Sequence, residues 1–129
     1  MRRSVGMFLL PAAVLAVAAS AYAKLVGSTE EIGAAILPCW HAPAAADGSF
    51  VTLSFSFKRD GTLIGPPQPT DVNIPSDAQA KEQFVKAAIS AVEECVPLEF
   101  SDEFAAGVAG QVFTLQFAAS GVESVSPDN

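Results

Sequence analysis

Between Val51 and Lys58 the chain alternates strictly. Val51, Leu53, Phe55 and Phe57 are apolar, while Thr52, Ser54, Ser56 and Lys58 are polar. A period of two over eight residues fits only a strand with one buried and one wet face, because successive side chains of a strand point to opposite sides. Arg59-Asp60-Gly61 follows at once. Asp-Gly between apolar runs is a hairpin signal, since both residues tolerate the positive φ of a tight turn. Thr62, Leu63 and Ile64 are therefore expected to start a returning strand. That strand meets Pro66, Pro67 and Pro69, which have no amide proton for a ladder. It belongs at a sheet edge and offers a poor docking rim.

The elements around this hairpin follow from local chemistry. Ser28-Thr29-Glu30-Glu31 has a hydroxyl cap followed by acids, and Ile32, Ala35 and Ile36 share one helical face, so a short helix is expected from about 29 to 37, stopped by Pro38. An Ala-, Pro- and Gly-rich loop then leads to Ser49. Ser76-Asp77-Ala78-Gln79 fits a capping box for the main helix. In that helix Ala80, Phe84, Ala87, Ala88, Ala91, Val92 and Cys95 recur at spacings of three and four, opposite Lys81, Glu82, Lys86, Ser90, Glu93 and Glu94. It ends before Pro97. Asp102, Glu103, Gly107 and Gly110 read as a polar connection. Gln111 to Phe117 alternates again and forms a third strand, and residues 119–129 read as a flexible tail.

The fold class expected is α+β: an αββαβ chain whose three-stranded antiparallel sheet, order 2-1-3, packs on one long helix, with a short N-terminal helix. The order follows from a right-handed crossover through the long helix, which sets strand three beside strand one. Strand three is then an open edge without proline.

The N-terminus constrains location rather than fold. Arg2 and Arg3 precede an apolar run from Val5 to Ala18, and Ala21-Tyr22-Ala23 supplies small residues at the cleavage positions. This is the pattern of a signal peptide, residues 1–23, cleaved after Ala23. An uncleaved anchor needs roughly 20 apolar residues to span a bilayer, and the run offers about 14, broken by Pro11. No stable membrane anchor is expected. Removing Arg2 and Arg3 leaves five basic residues against 14 acidic ones, a formal charge of −9. Nucleic acid and anionic surfaces are held largely through Lys and Arg, so a chain this acidic is repelled by them. The remaining 106 residues carry no internal repeat and suit one domain. Cys39 and Cys95 are the only cysteines. An even pair in an exported chain most often forms one disulfide, worth roughly 4 kcal/mol in the chain-entropy account for a loop of this length. Cys95 lies on the apolar face of its helix, which suits a structural bridge.

Catalytic chemistry is thin. His41, the single histidine, sits in a loop with no nucleophile in a recognisable motif around it. Cys39-Trp40-His41 lacks the three or four ligands a zinc site needs. The carboxylate pairs Glu30/Glu31, Glu93/Glu94 and Asp102/Glu103 fall on exposed faces or helix ends. Trp40, beside a half-cystine, reads as a core plug over the disulfide. No cofactor, metal ligand set or catalytic residue is assigned.

Val51-Thr-Leu-Ser-Phe-Ser-Phe, Arg59-Asp-Gly-Thr-Leu-Ile, the Ala-rich helix through Ala87-Ala88 to Cys95-Val96-Pro97, and Phe113-Thr-Leu-Gln-Phe together resemble the C-terminal domain family of TonB and TolA. The likeness spans most of Ile36 to Phe117 and is placed within a domain of residues 24–118. It implies a non-enzymatic periplasmic module that binds an envelope protein or peptide segment by strand addition. The chain departs from the energy transducers in lacking a permanent anchor and a long spacer, which suits a free-standing relative. The strand-addition site expected is the third strand, with Gln111, Val112, Thr114 and Gln116 as binding residues. A small secreted enzyme or enzyme inhibitor, and a structural envelope component, are the alternatives.

Overall fold

Ser28 begins the first helix as expected: its side chain accepts a hydrogen bond from the Glu31 amide, satisfying a donor that the helix itself leaves free. In the computed structural model, which describes residues 25–125, this helix is α1, Thr29–Ile36, and it tightens into a 3-10 turn at Leu37–Cys39. The remaining elements are β1 (Phe50–Phe55), β2 (Gln68–Asn73), α2 (Ala78–Cys95), α3 (Asp102–Val108), β3 (Phe113–Ala118) and β4 (Gly121–Ser124). The signal peptide and its cleavage position, and residues 126–129 of the expected tail, lie outside the described residues.

The class is α+β, but the sheet has four antiparallel strands in the order β2-β1-β3-β4. The expected order 2-1-3 is present within it, and among the described residues a third α-helix joins the one long and one short helix expected. Two elements are additions. Gly121–Ser124 was expected as flexible tail, yet Ala119-Ser120 turns the chain and Ala118 pairs with Gly121, so the segment runs back along β3. Residues 102–108 were expected as a polar connection. They form α3 because the Ser101 hydroxyl accepts from the Phe104 amide at 3.2 Å and Val108 is buried one turn further on.

The hairpin also differs from expectation. Its turn forms where Asp60-Gly61 stands, with Gly61 N–H donating to Lys58 O at 3.0 Å and Lys58 N–H to Thr62 O at 2.8 Å. The return then makes only a bridge from Phe57 to Leu63 and a bond from Ile64 N–H to Ser56 O. Gly65-Pro66-Pro67 interrupts the ladder, and pairing resumes at Gln68, with a register shift opposite Thr52 and Leu53. The edge strand therefore lies beyond the first two prolines, and Pro69 sits within it opposite Leu53. At α2 the cap is Asp77 rather than Ser76: Asp77 Oδ1 accepts from the Ala80 amide at 2.8 Å.

Packing follows the apolar periodicities. Phe84, Ala88, Ala91 and Val92 of α2 and Ile32 and Ile36 of α1 are fully buried against Val51, Leu53, Leu115 and Phe117 of the sheet. Aromatic contacts organise both ends of this core. Trp40 meets Phe84 and Phe117 edge-on at 5.4 and 5.3 Å, and Phe57 meets Phe100 at 5.3 Å. Such pairs each add about 0.5–1.5 kcal/mol beyond their burial. Trp40 is thus part of the core, and its indole N–H donates to Ala118 O at 2.7 Å. The Cys39–Cys95 disulfide is formed, with Cα atoms 6.0 Å apart, and ties the 3-10 turn to the last residue of α2.

Candidate functional site

The open edge expected at the third strand is closed. β3 pairs with β1 on one side and with β4 on the other, through Leu115↔Ser124, Gln116↔Glu123, Phe117↔Val122 and Ala118↔Gly121. Beyond the ladder, Val125 N–H donates to Thr114 O at 3.0 Å. The chain's own C-terminal segment thus occupies the edge of β3 along residues 114–118, where a partner strand was expected to add. A two-residue turn needs little sequence signal, and β4 has only Val122 as an apolar residue, which is why its alternation was not visible.

The four residues expected to bind are placed differently from one another. Gln111 precedes β3 and its side-chain amide donates to Gly107 O at 2.6 Å, tying it to the end of α3. Val112 is strongly exposed. Thr114 and Gln116 alternate with the buried Phe113, Leu115 and Phe117, so both point away from the helices.

That second sheet face is where polar side chains converge. Antiparallel partners share a face, and the register aligns Asp71, Thr52, Gln116 and Glu123 across all four strands. Gln68, Ser54 and Thr114 form the adjacent row. Between the rows lies a shallow depression of about 290 Å³, lined by Thr52, Ser54, Thr70, Asp71, Thr114 and Gln116 with Val125 at its margin. No residue of α1, α2 or α3 lines it. Thr52, at its centre, is only 6 % exposed, and the Thr70 hydroxyl donates to Thr52 O at 3.4 Å. The face offers hydroxyls, amides and two carboxylates, and neither row contains Lys or Arg. It is suited to recognising a polar or basic surface through side chains. In the sequence the face was legible as the polar half of two alternating runs, but its partners Thr70 and Asp71 were hidden by the displaced β2.

Elsewhere the chemistry is sparse. His41 is exposed, as are Glu30, Glu93, Glu94, Asp102 and Glu103. Among the described residues no three His, Cys, Asp or Glu side chains gather into a possible metal site. The Asp60 carboxyl is held below its ordinary range, first by the Thr62 hydroxyl and then by the Thr62 amide. The two bonds measure 2.6 and 3.0 Å and close the hairpin turn.

Residues 22–121 match the family described as Uncharacterised conserved protein UCP034077. The match spans every described element up to the first residue of β4. No curated protein and no solved structure matches the chain significantly.

Proposed function

We propose that this chain, which belongs to that family, is a non-enzymatic, exported protein-binding module of the TonB/TolA C-terminal type, acting on an envelope protein or peptide segment in the periplasm. The observation that carries the reading is the asymmetry of the sheet. One face is sealed by helices around a single apolar core, while the other presents two cross-strand rows of polar side chains around Thr52, Thr114 and Gln116 with no helix residue lining the depression between them. With β4 on the former edge, recognition rests on side chains of the open face rather than on main-chain pairing. Loops and edges move, but residues on a ladder are held to a fixed geometry, so a partner meets a surface that is already ordered. Asp71 and Glu123 at the ends of one row favour a partner segment bearing Lys or Arg, through charge complementarity that also speeds encounter.

A photo-crosslinking residue at Gln116 in cells expressing the full chain is expected to trap an envelope protein. The same residue at Lys86, exposed on α2, is expected to trap none. Gln116→Arg places a bulky cation in the centre of the face and is expected to weaken capture of that protein by roughly tenfold or more, the scale of a lost interface hot spot, with circular dichroism unchanged. Equal trapping from both positions, or undiminished capture by folded Gln116→Arg, refutes the open face as the binding surface.

A further inference from the structure

A second concavity lies on the helical side of the molecule, and nothing in the open-face reading uses it. Its floor is Val26 and Leu98, which are 3 % and 6 % exposed, and Cys95 of the disulfide adjoins them. Ala34 and Ala35 of α1 form one wall; their small side chains leave the space unfilled. Leu25 and Pro97 stand at its sides, and two carboxylates, Glu31 and Glu99, complete the lining. The volume is about 340 Å³, within the lower range of small-molecule sites, which start near about 300 Å³.

Three features make this a built hollow rather than a surface dent. The strand-like segment at Val26 is pinned to residues 99–101 by Val26 N–H to Glu99 O at 2.7 Å and Ser101 N–H to Val26 O at 3.0 Å. The disulfide fixes the end of α2 against the turn after α1. The Gly27 amide donates to Glu31 Oε1 at 2.7 Å in a solvent-exposed bond, so the carboxylate is already oriented while its second oxygen has no protein donor among the described residues. A fixed carboxylate gives up little side-chain freedom when a ligand arrives.

We propose that this hollow binds a small amphiphilic cation, an aliphatic chain ending in a single ammonium group. The apolar floor and walls take the chain, and Glu31, with Glu99 beside it, takes the head. Among the described residues no Lys or Arg lines the hollow, so an anionic amphiphile of the same length meets two like charges there. Glu31 is the principal anchor because a backbone amide already holds its carboxylate and the residue is half-buried overall, whereas Glu99 is exposed. This inference is independent of the open-face reading, since the two surfaces share no lining residue.

Protein purified from the periplasm of expressing cells is titrated with n-hexylammonium, n-hexanol and n-hexanoate, followed by calorimetry and by NMR shifts of Leu25, Ala34 and Leu98. Saturable binding of hexylammonium is expected, roughly tenfold tighter than hexanoate, as a charge-assisted hydrogen bond implies. Glu31→Gln keeps an oxygen for the Gly27 amide and is expected to weaken hexylammonium by about tenfold while leaving hexanol within about twofold. Ala34→Phe, on the solvent flank of α1, fills the hollow and is expected to remove binding of both. If that variant fails to fold, the Glu31→Gln comparison alone decides. Hexanoate binding as well as hexylammonium overturns the proposal. So does an unchanged hexylammonium affinity in Glu31→Gln, absence of saturable binding, or shifts confined to other residues. None of these outcomes touches the crosslinking result at Gln116.

Discussion

Gly61 has φ +87°, and a Cβ built there would overlap the carbonyl oxygen of Leu98, whose own amide donates to Gly61 O at 3.0 Å. Two separate requirements thus meet on one residue: a left-handed backbone, and a close approach between the hairpin turn and the segment after α2. Gly61→Ala must answer both, so a loss of about 3 kcal/mol or more is expected, above the ordinary range for a surface turn. Urea denaturation monitors it; a loss under about 1 kcal/mol means the contact with Leu98 yields easily. Neighbouring Asp60 supplies a pH-dependent contribution. Its carboxyl is lowered chiefly by the Thr62 hydroxyl, so the folded state favours the ionised form. That stabilisation is present above the unfolded carboxyl's range and is lost as pH falls through the lowered value, below about pH 4. Carboxyl NMR titration of Thr62→Val is expected to show Asp60 moving up toward the ordinary value. An unmoved titration rules out the hydroxyl as the main cause. Asp60-Gly61 was legible as a turn in the sequence because turn chemistry is local, whereas the reason glycine is obligatory there is Leu98, a residue 37 positions away.

At the scale of elements, β4 decides how the sheet ends. Four residues, half-exposed or exposed throughout, cover the edge of β3. α1 helps to hold them: the Gly33 Cα lies where an added Cβ would touch Val122, and the Ser124 hydroxyl donates to Thr29 O at 3.4 Å. Removing residues 121–129 should leave the core strands folded while uncovering an unpaired, proline-free edge, which is prone to pairing with a second copy. Light scattering coupled to gel filtration is expected to show larger species for the truncated chain than for the full one. If the truncated chain has the full chain's oligomeric state, β4 does not serve as an edge guard. β2 blunts the other edge by composition instead, with Pro69 inside it and Asp71 exposed. The helices were more legible than the edge strands, because α1 and α2 carry several apolar residues in register, and a four-residue strand with one apolar residue carries no period.

For the molecule as a whole, export remains the premise of the periplasmic reading. The signal-peptide pattern of residues 1–23 predicts that intact-mass measurement of the exported protein finds Lys24 at its N-terminus. A membrane-bound species retaining Met1 contradicts both the cleavage and the untethered reading. Among the described residues every Asp and Glu except the half-buried Glu31 is exposed, and no helix is long and apolar enough to cross a membrane.

The amino-acid sequence by itself determined the α+β class, the helix α1 with its Ser28 cap, the buried face of α2, strands β1 and β3, and the cysteine pair. Each of these is written in local periodicity, capping chemistry or simple count. Only the tertiary structure decided where β2 resumes after Pro67, that residues 102–108 are helical, that the C-terminal segment returns as β4, and therefore that Thr114 and Gln116 lie on an open face beside a closed edge. The physical reason is the range of the interactions. A cap or an alternation is completed within a few residues, whereas a sheet edge is settled by which distant segment gains most from pairing there, and burial against α1 selects Val122 for that position.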